Sequence, residues 1–424
     1  MNKYISLFFI TIISFSNAQI EFDNYFYNKS LRIDYFHFGD SLNDSYAIDE
    51  LIEEPYWGGS KNNLLDLFKY GNYIIKVFDN ESNKLIFSKS YTTLFSEWQT
   101  TEEAKHTTKG FNETVIIPYP KKEVRVEFYS RDKKNNPLKK FEYIINPSNY
   151  FIKKENRHIY PTFDVVNNGD PSTEVDIVII PEGYTKEEME MFRKDCEKFS
   201  NYIFNSSPFK ENKDKFNIRG IEAPSEESGT DIPADSLWKK TLLNTSFYTL
   251  DLERYLMTED YKTVCDVAAN VPYDQIYILV NSDNYGGGAI YNYYSVCVNQ
   301  NRFEEYIFTH EFGHGFAGLA DEYYTSDVTY EDFYPLDVEP LEPNLTTLVN
   351  FESKWADMVN DSIPIPTPEE PKYKDVVGAF EGGGYVSKGV YRPKMDCTMK
   401  SISVNNFCPV CKRAIQEMID FYTK

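Results

Sequence analysis

Asn301-Arg302-Phe303-Glu304-Glu305-Tyr306-Ile307-Phe308-Thr309-His310-Glu311-Phe312-Gly313-His314-Gly315-Phe316-Ala317-Gly318 carries the periodicity of a single helix that stops at a glycine. Phe303, Ile307, His310, His314 and Ala317 recur at spacings of four, three, four and three, which lines them along one stripe. Asn301, with Glu304 three residues later, has the form of a capping box, and Gly318 is the residue type that most easily ends a helix. Two histidines therefore occupy positions where core residues are expected. The stripe should face a sheet and not solvent.

One helical turn separates His310 from His314, so both imidazoles can reach one Zn²⁺ at about 2.0–2.1 Å. Glu311 is offset to the edge of that face, placed to take a proton from an attacking water without being a ligand itself. The plainer alternative is a pair of hydrogen-bonded core histidines. The chain has only five histidines, and two fall at this spacing with a glutamate between them. No histidine follows His314, so a carboxylate must complete the site unless His158 or another distant group returns to it. Asp321 and Glu322 lie just beyond Gly318, where the chain can swing back towards the metal, and only one of them is expected to bind.

The sequence before this helix alternates strands and helices. Val175-Asp176-Ile177-Val178-Ile179-Ile180 is a buried-strand run, followed by a helical stretch from Lys186 to about Phe204. Phe216 to Ile221 and Gln275 to Val280 supply further strands, and Tyr285-Gly286-Gly287-Gly288 leads into a strand-like run ending at Val298. The glycine run fits either a sheet edge where an extended peptide can approach the bare backbone or a simple flexible turn. Earlier still, runs such as Tyr73 to Phe78, Thr114 to Ile117, Val124 to Phe128 and Phe141 to Ile145 are punctuated at hairpin intervals, the pattern of a β-sandwich. Its histidines, His37 and His106, lack acidic or cysteine partners at ligand spacing. The expected organisation is a signal peptide over residues 1–18, a β-sandwich accessory domain over 19–158, and an α+β or α/β catalytic domain over 159–424 with a mixed sheet and an active-site helix. An acidic, proline-rich insertion spans Asp332 to Pro371.

Length and composition agree with two packed domains: 424 residues, 41% hydrophobic and 16% aromatic. A net charge of -22, from 66 acidic and 44 basic residues, repels phosphate backbones and anionic membrane surfaces, so nucleic acid is excluded as a partner. Lys3, the short apolar run Ile5 to Phe15 and the small-residue ending at Ala18 read as an export signal, too short to span a bilayer. A secreted or periplasmic protein without membrane insertion is expected. In such a compartment six cysteines imply disulfides, and Cys397 is expected to pair with Cys408 or Cys411, its near neighbours.

The segment from His310 to Tyr323 resembles the active-site segment of the IgA-peptidase family of zinc metallopeptidases, relatives of the metzincins. The resemblance extends to Asp176 through Tyr184, Pro224 through Thr230, Gly389 through Pro393, and Cys397-Thr398-Met399. It implies a metzincin-like fold with an N-terminal sandwich, Zn²⁺ as cofactor, Met399 as the Met-turn residue beneath the metal, and Asp321 in place of the usual third histidine. It implies hydrolysis of peptide bonds in extracellular proteins, glycoproteins or immunoglobulins. Tyr391 or Arg392 would polarise the scissile carbonyl. Two rivals remain: a secreted binding module with a structural metal, for which Glu311 would be superfluous, and a zinc amidase acting on cell-wall peptides or glycoconjugates, which a substrate screen would separate.

Overall fold

Strand alternation decides the first half of the chain, as seen in a computed structural model that describes residues 20–154, 157–324 and 334–424. The expected export signal lies outside the described residues. In β3 (Tyr73–Asp79) and β6 (Val124–Arg131), Ile75, Val77, Val124, Val126 and Phe128 are buried, while Lys76, between Ile75 and Val77, and Arg125, between Val124 and Val126, are half-buried on the other face. With β4 (Leu85–Tyr91) and β7 (Pro137–Ile145) they form an antiparallel sheet in the order β4-β3-β6-β7. After the one-turn α1 (Phe22–Tyr25), β1 (Phe26–Gly39) pairs antiparallel with β2 (Asp44–Glu54) and β5 (Lys109–Pro120) in a second sheet. The sheets pack face to face: the Tyr35 ring of β1 meets Phe128 of β6 edge-on at 5.1 Å, and its hydroxyl lies 3.0 Å from that of Tyr91. The short α2 (Leu94–Trp98) buries Phe95 and Trp98 against the same interior.

His37 is not without partners. Neighbouring strands deliver Glu113, 2.8 Å from Nδ1, and Asp44, 3.4 Å from Nε2, and the imidazole is fully buried between them. Glu113 is far away in sequence and Asp44 sits across the β1–β2 turn, and strand pairing brings both alongside the ring. Burial alone would lower the His37 pKa, but Glu113 and Asp44 override it and hold it above the ordinary value.

The second half is a six-stranded mixed sheet in the order β12-β13-β11-β9-β10-β8. Its centre, β9 (Val175–Glu182), β10 (Phe216–Ile221), β11 (Gln275–Val280) and β13 (Ser295–Val298), is parallel and wholly buried, as continuous apolar runs require. The edges, β8 (Thr162–Val166) and β12 (Gly287–Ala289), are antiparallel. Helix α3 (Met189–Asn205) packs on α5 (Glu304–Ala317), which in turn meets α6 (Pro409–Thr423), while α4 (Tyr261–Ala268) touches both β9 and β5. The hairpin β14 (Phe380–Gly383) and β15 (Val386–Arg392) stands outside this sheet. Among the described residues no helix is long and apolar enough to cross a membrane.

Three local expectations are corrected. The Asn301–Glu304 pair makes no capping box, because Glu304 turns away to Lys198 and Tyr202 and Asn301 accepts instead from the Phe303 amide. The sheet-facing side of α5 is not the histidine stripe: Phe308 stacks on Tyr277 of β11 at 4.0 Å, and Gly315 lies so close to Ser295 of β13 that a Cβ would stand 2.3 Å from its Oγ. Finally, the glycine edge is not open at Gly287. Its amide donates to the Arg254 carbonyl at 3.2 Å, and its carbonyl accepts from the Leu256 amide at 3.2 Å.

Candidate metal centre and active site

Helix α5 ends where expected, with Gly318 in the left-handed conformation at φ 60° and its amide donating to the last turn. The reversal that follows carries Leu319 and Asp321 back over the helix. Each histidine is fixed through Nδ1, which lies 3.0 Å from the Thr398 carbonyl in His310 and 2.6 Å from the Leu319 carbonyl in His314. A carbonyl only accepts, so both Nδ1 atoms carry the hydrogen and donate it. The two Nε2 atoms then converge at 3.1 Å, and Asp321 Oδ1 stands 3.0 Å from one and 3.4 Å from the other. These three ligand atoms lie within 4.8 Å of one another.

That arrangement needs a cation. Two imine lone pairs and a carboxylate oxygen face the same point, and Asp321 Oδ1, itself buried, makes no hydrogen bond among the described residues. Without a metal a proton takes the place. Burial would lower the His314 pKa, yet Asp321 pushes it up to about 9. Burial would likewise raise Asp321, and His314 with His310 holds it well below the usual carboxylate range. Neutral imidazoles with their outer nitrogens tied to carbonyls, plus one carboxylate, are the donor set that suits Zn²⁺.

The surroundings brace this cluster from three sides. Asp321 Oδ2 accepts a hydrogen bond from the Tyr385 hydroxyl, and the hairpin turn holds the same segment by its backbone, Gly384 N to Asp321 O at 2.8 Å and Tyr385 N to Tyr323 O at 3.0 Å. Met399 is fully buried beneath α5, its sulfur so near Gly313 that a Cβ there would stand 3.0 Å away, and its carbonyl accepts from the Glu322 amide at 2.7 Å. Glu311, half-buried, lies against β12, where a Cβ on Gly287 would stand 3.3 Å from its Cγ. Burial raises its pKa, opposed by His310 and His314. From the N-terminal half Glu97 approaches, hydrogen-bonded by Tyr255; burial pushes its pKa up to about 7 against the Tyr255 bond and the His314 charge.

Other sequence candidates are placed elsewhere. Glu322 turns its carboxyl away from the histidines towards Asn344 Nδ2, 3.0 Å away, and Cys411 Sγ, 3.2 Å away. His158 is half-buried near Asp266, away from the histidine cluster. Arg392 is not a carbonyl polariser: it is fully buried, donates to the Glu381 and Gly382 carbonyls at 2.7 Å each and pairs with Glu369. Tyr391 is bound by its backbone to Thr346. Neither is brought to the histidine cluster. The tyrosine that does reach it, Tyr385, has a left-handed φ of 65°, and nothing in its linear context but the preceding glycines marks it. Arg254, whose guanidinium lies over the Tyr323 ring at 5.8 Å, was also invisible in the sequence. The expected disulfide is absent: all six cysteines are free thiols, with Cys397 Sγ and Cys411 Sγ 3.9 Å apart.

Comparison with known proteins covers both halves. The family model for IgA Peptidase M64 matches residues 163–374 and 369–419, so it includes α5, the Asp321 loop and the Met399 segment. The model for the Peptidase M64 N-terminus matches residues 21–142, the two packed sheets. No curated protein matches the chain. These two matches span most of the sequence, and the chain belongs to the IgA peptidase M64 family, a family of peptidases.

Proposed function

We propose that the protein is a zinc-dependent endopeptidase, exported from the cell, that hydrolyses peptide bonds in extracellular proteins or glycoproteins. The observation that carries this reading is the convergence of His310 Nε2, His314 Nε2 and Asp321 Oδ1 within 4.8 Å, one residue from a glutamate that is not part of the set. When bound there, zinc supplies Lewis acidity to the scissile carbonyl and makes water a nucleophile near neutral pH. Glu311 takes the proton of the attacking water and passes it to the leaving amine. Its raised pKa brings its proton affinity closer to neutrality, where a base that must also act as an acid works best. Thr398 and Leu319 hold the imidazoles in one tautomer, and Tyr385 holds Asp321.

Asp321 serves as the third ligand and Glu322 does not, because the two carboxyls leave the chain in different directions. The Met399 segment acts as the floor beneath the histidines, in the manner of metzincins. The acidic surface and the match to a peptidase family support a protein substrate over nucleic acid. The test is elemental analysis of purified protein together with hydrolysis of casein, mucin, immunoglobulin and peptidoglycan fragments side by side. Zinc at the histidine cluster and cleavage of internal peptide bonds are expected. Full activity in metal-free protein would overturn the proposal.

A further inference from the structure

We propose that Glu322, Cys397, Cys408 and Cys411 bind a second zinc ion, a structural one, behind the histidine cluster. Their four ligand atoms lie within 4.8 Å of one another, and all four residues are buried. Ligands about 2.3 Å from a tetrahedral centre stand roughly 3.8 Å apart, and Cys397 Sγ and Cys411 Sγ stand at 3.9 Å. A disulfide requires about 2.05 Å between sulfurs and joins only two of them. Here three sulfurs and a carboxylate share one pocket, so any pairing strands a buried thiol beside Glu322.

The polar contacts are those of a thiolate site. Cys408 caps α6, and its sulfur accepts from the Cys411 amide at 3.5 Å; the Cys397 sulfur accepts from the Cys408 amide at 3.2 Å. Backbone amides at a helix N-terminus favour negative sulfur. Glu322 is oriented by Asn344, which donates to Oε1 at 3.0 Å and also grips Ala320 through both its backbone groups. Glu322 Oε2, buried, makes no hydrogen bond among the described residues. A buried carboxylate with a free oxygen beside three thiols is a costly arrangement unless a cation completes it. Soft sulfur donors in a closed four-ligand set select zinc.

This ion would fasten the Asp321–Glu322 loop to the Cys397–Met399 segment and both to α6. It does not rest on the histidine cluster binding zinc. Native mass spectrometry and elemental analysis of the intact wild-type chain and of an H310A/H314A variant separate the two. Two zinc ions in the wild type and one in the variant are expected, with thiolate-to-cobalt charge-transfer absorption when the variant is loaded with Co²⁺ alone. If only the histidine cluster fails to bind, wild type and variant both hold one zinc. If the present proposal fails, the variant holds none and shows no such absorption. C408S/C411S in the same background should remove the ion; because that variant can fail to fold, alkylation of denatured, chelator-treated, unreduced wild type is the second measurement. All six cysteines should be labelled, and protection of a pair by a disulfide would overturn the assignment.

Discussion

Replacing Tyr385 with phenylalanine removes the hydroxyl that donates to Asp321 Oδ2 and leaves the ring in place. The hydroxyl is protonated at neutral pH, since burial and the Asp321 charge both push its pKa well above the ordinary tyrosine value. Asp321 is only 6% exposed, so water cannot readily replace the lost donor. A hydrogen bond to a charged acceptor contributes about 1.5–3 kcal/mol, which is roughly ten- to a hundredfold in metal affinity, the range usual for groups that orient metal ligands. The Gly384 amide still holds the Asp321 backbone at 2.8 Å, so the loop should stay in place and the loss should appear in affinity and not in folding. Competition with a chromophoric zinc chelator reads it directly, with Tyr391→Phe as the control on the same hairpin. Equal zinc affinity in Y385F and wild type would refute the orienting role.

Glu311→Gln should keep its zinc and its melting temperature but lose turnover by at least about a hundredfold, measured with a fluorogenic peptide, because an amide cannot accept the proton. Gly287→Ala should lower kcat with zinc content unchanged, since the added Cβ would stand 2.8 Å from Ile307 Cγ2 and 3.3 Å from Glu311 Cγ and must displace the base. His37 has a folded-state pKa above its unfolded value, so its contribution to stability is present below about pH 6.5 and is lost as pH rises through the folded value. Thermal melts across that range should show the gap between wild type and His37→Gln narrowing with rising pH, and a gap that widens would reverse the assignment. Asp321→Ala should cut the zinc affinity of the histidine cluster strongly and Glu322→Ala little, read from the zinc dependence of peptide hydrolysis with all six cysteines left in place.

The helix, its glycine stop and the two histidines were legible because a 3.6-residue repeat and an i, i+4 pair are local signals. The strands were legible too, Val175 to Ile180 as a continuous apolar run and the earlier ones as hairpin-spaced pieces. What the sequence did not show is everything set by contacts across the chain. Stripe position alone could not say which side of α5 meets the sheet, since Phe308 and Phe312 on the other side are equally apolar. Closeness in sequence suggested a disulfide for Cys397, but Glu322, 75 residues before it, shares the pocket and is a better match for three sulfurs than any pair is for each other. Tyr385 and Glu97 reach the site from a hairpin turn and from the other half of the molecule, and no spacing rule connects either to His310.

Arg32, 1% exposed on β1, donates to Asp34 on its own strand and to Asp266 of α4 at 2.6 Å, and Lys262 of the same helix reaches Asp49 and Glu50 at 2.6 Å each. The buried apolar residues around this seam form one continuous cluster, from Ile20 to Tyr422. Cutting the chain near residue 159 would therefore separate Arg32 from Asp266 and turn part of that shared apolar cluster to water on both fragments, and the exposed apolar surface is the larger cost. The two halves share one interior, so a substitution that loosens the N-terminal sheets at this seam should also lower the melting temperature of the half that carries the histidines.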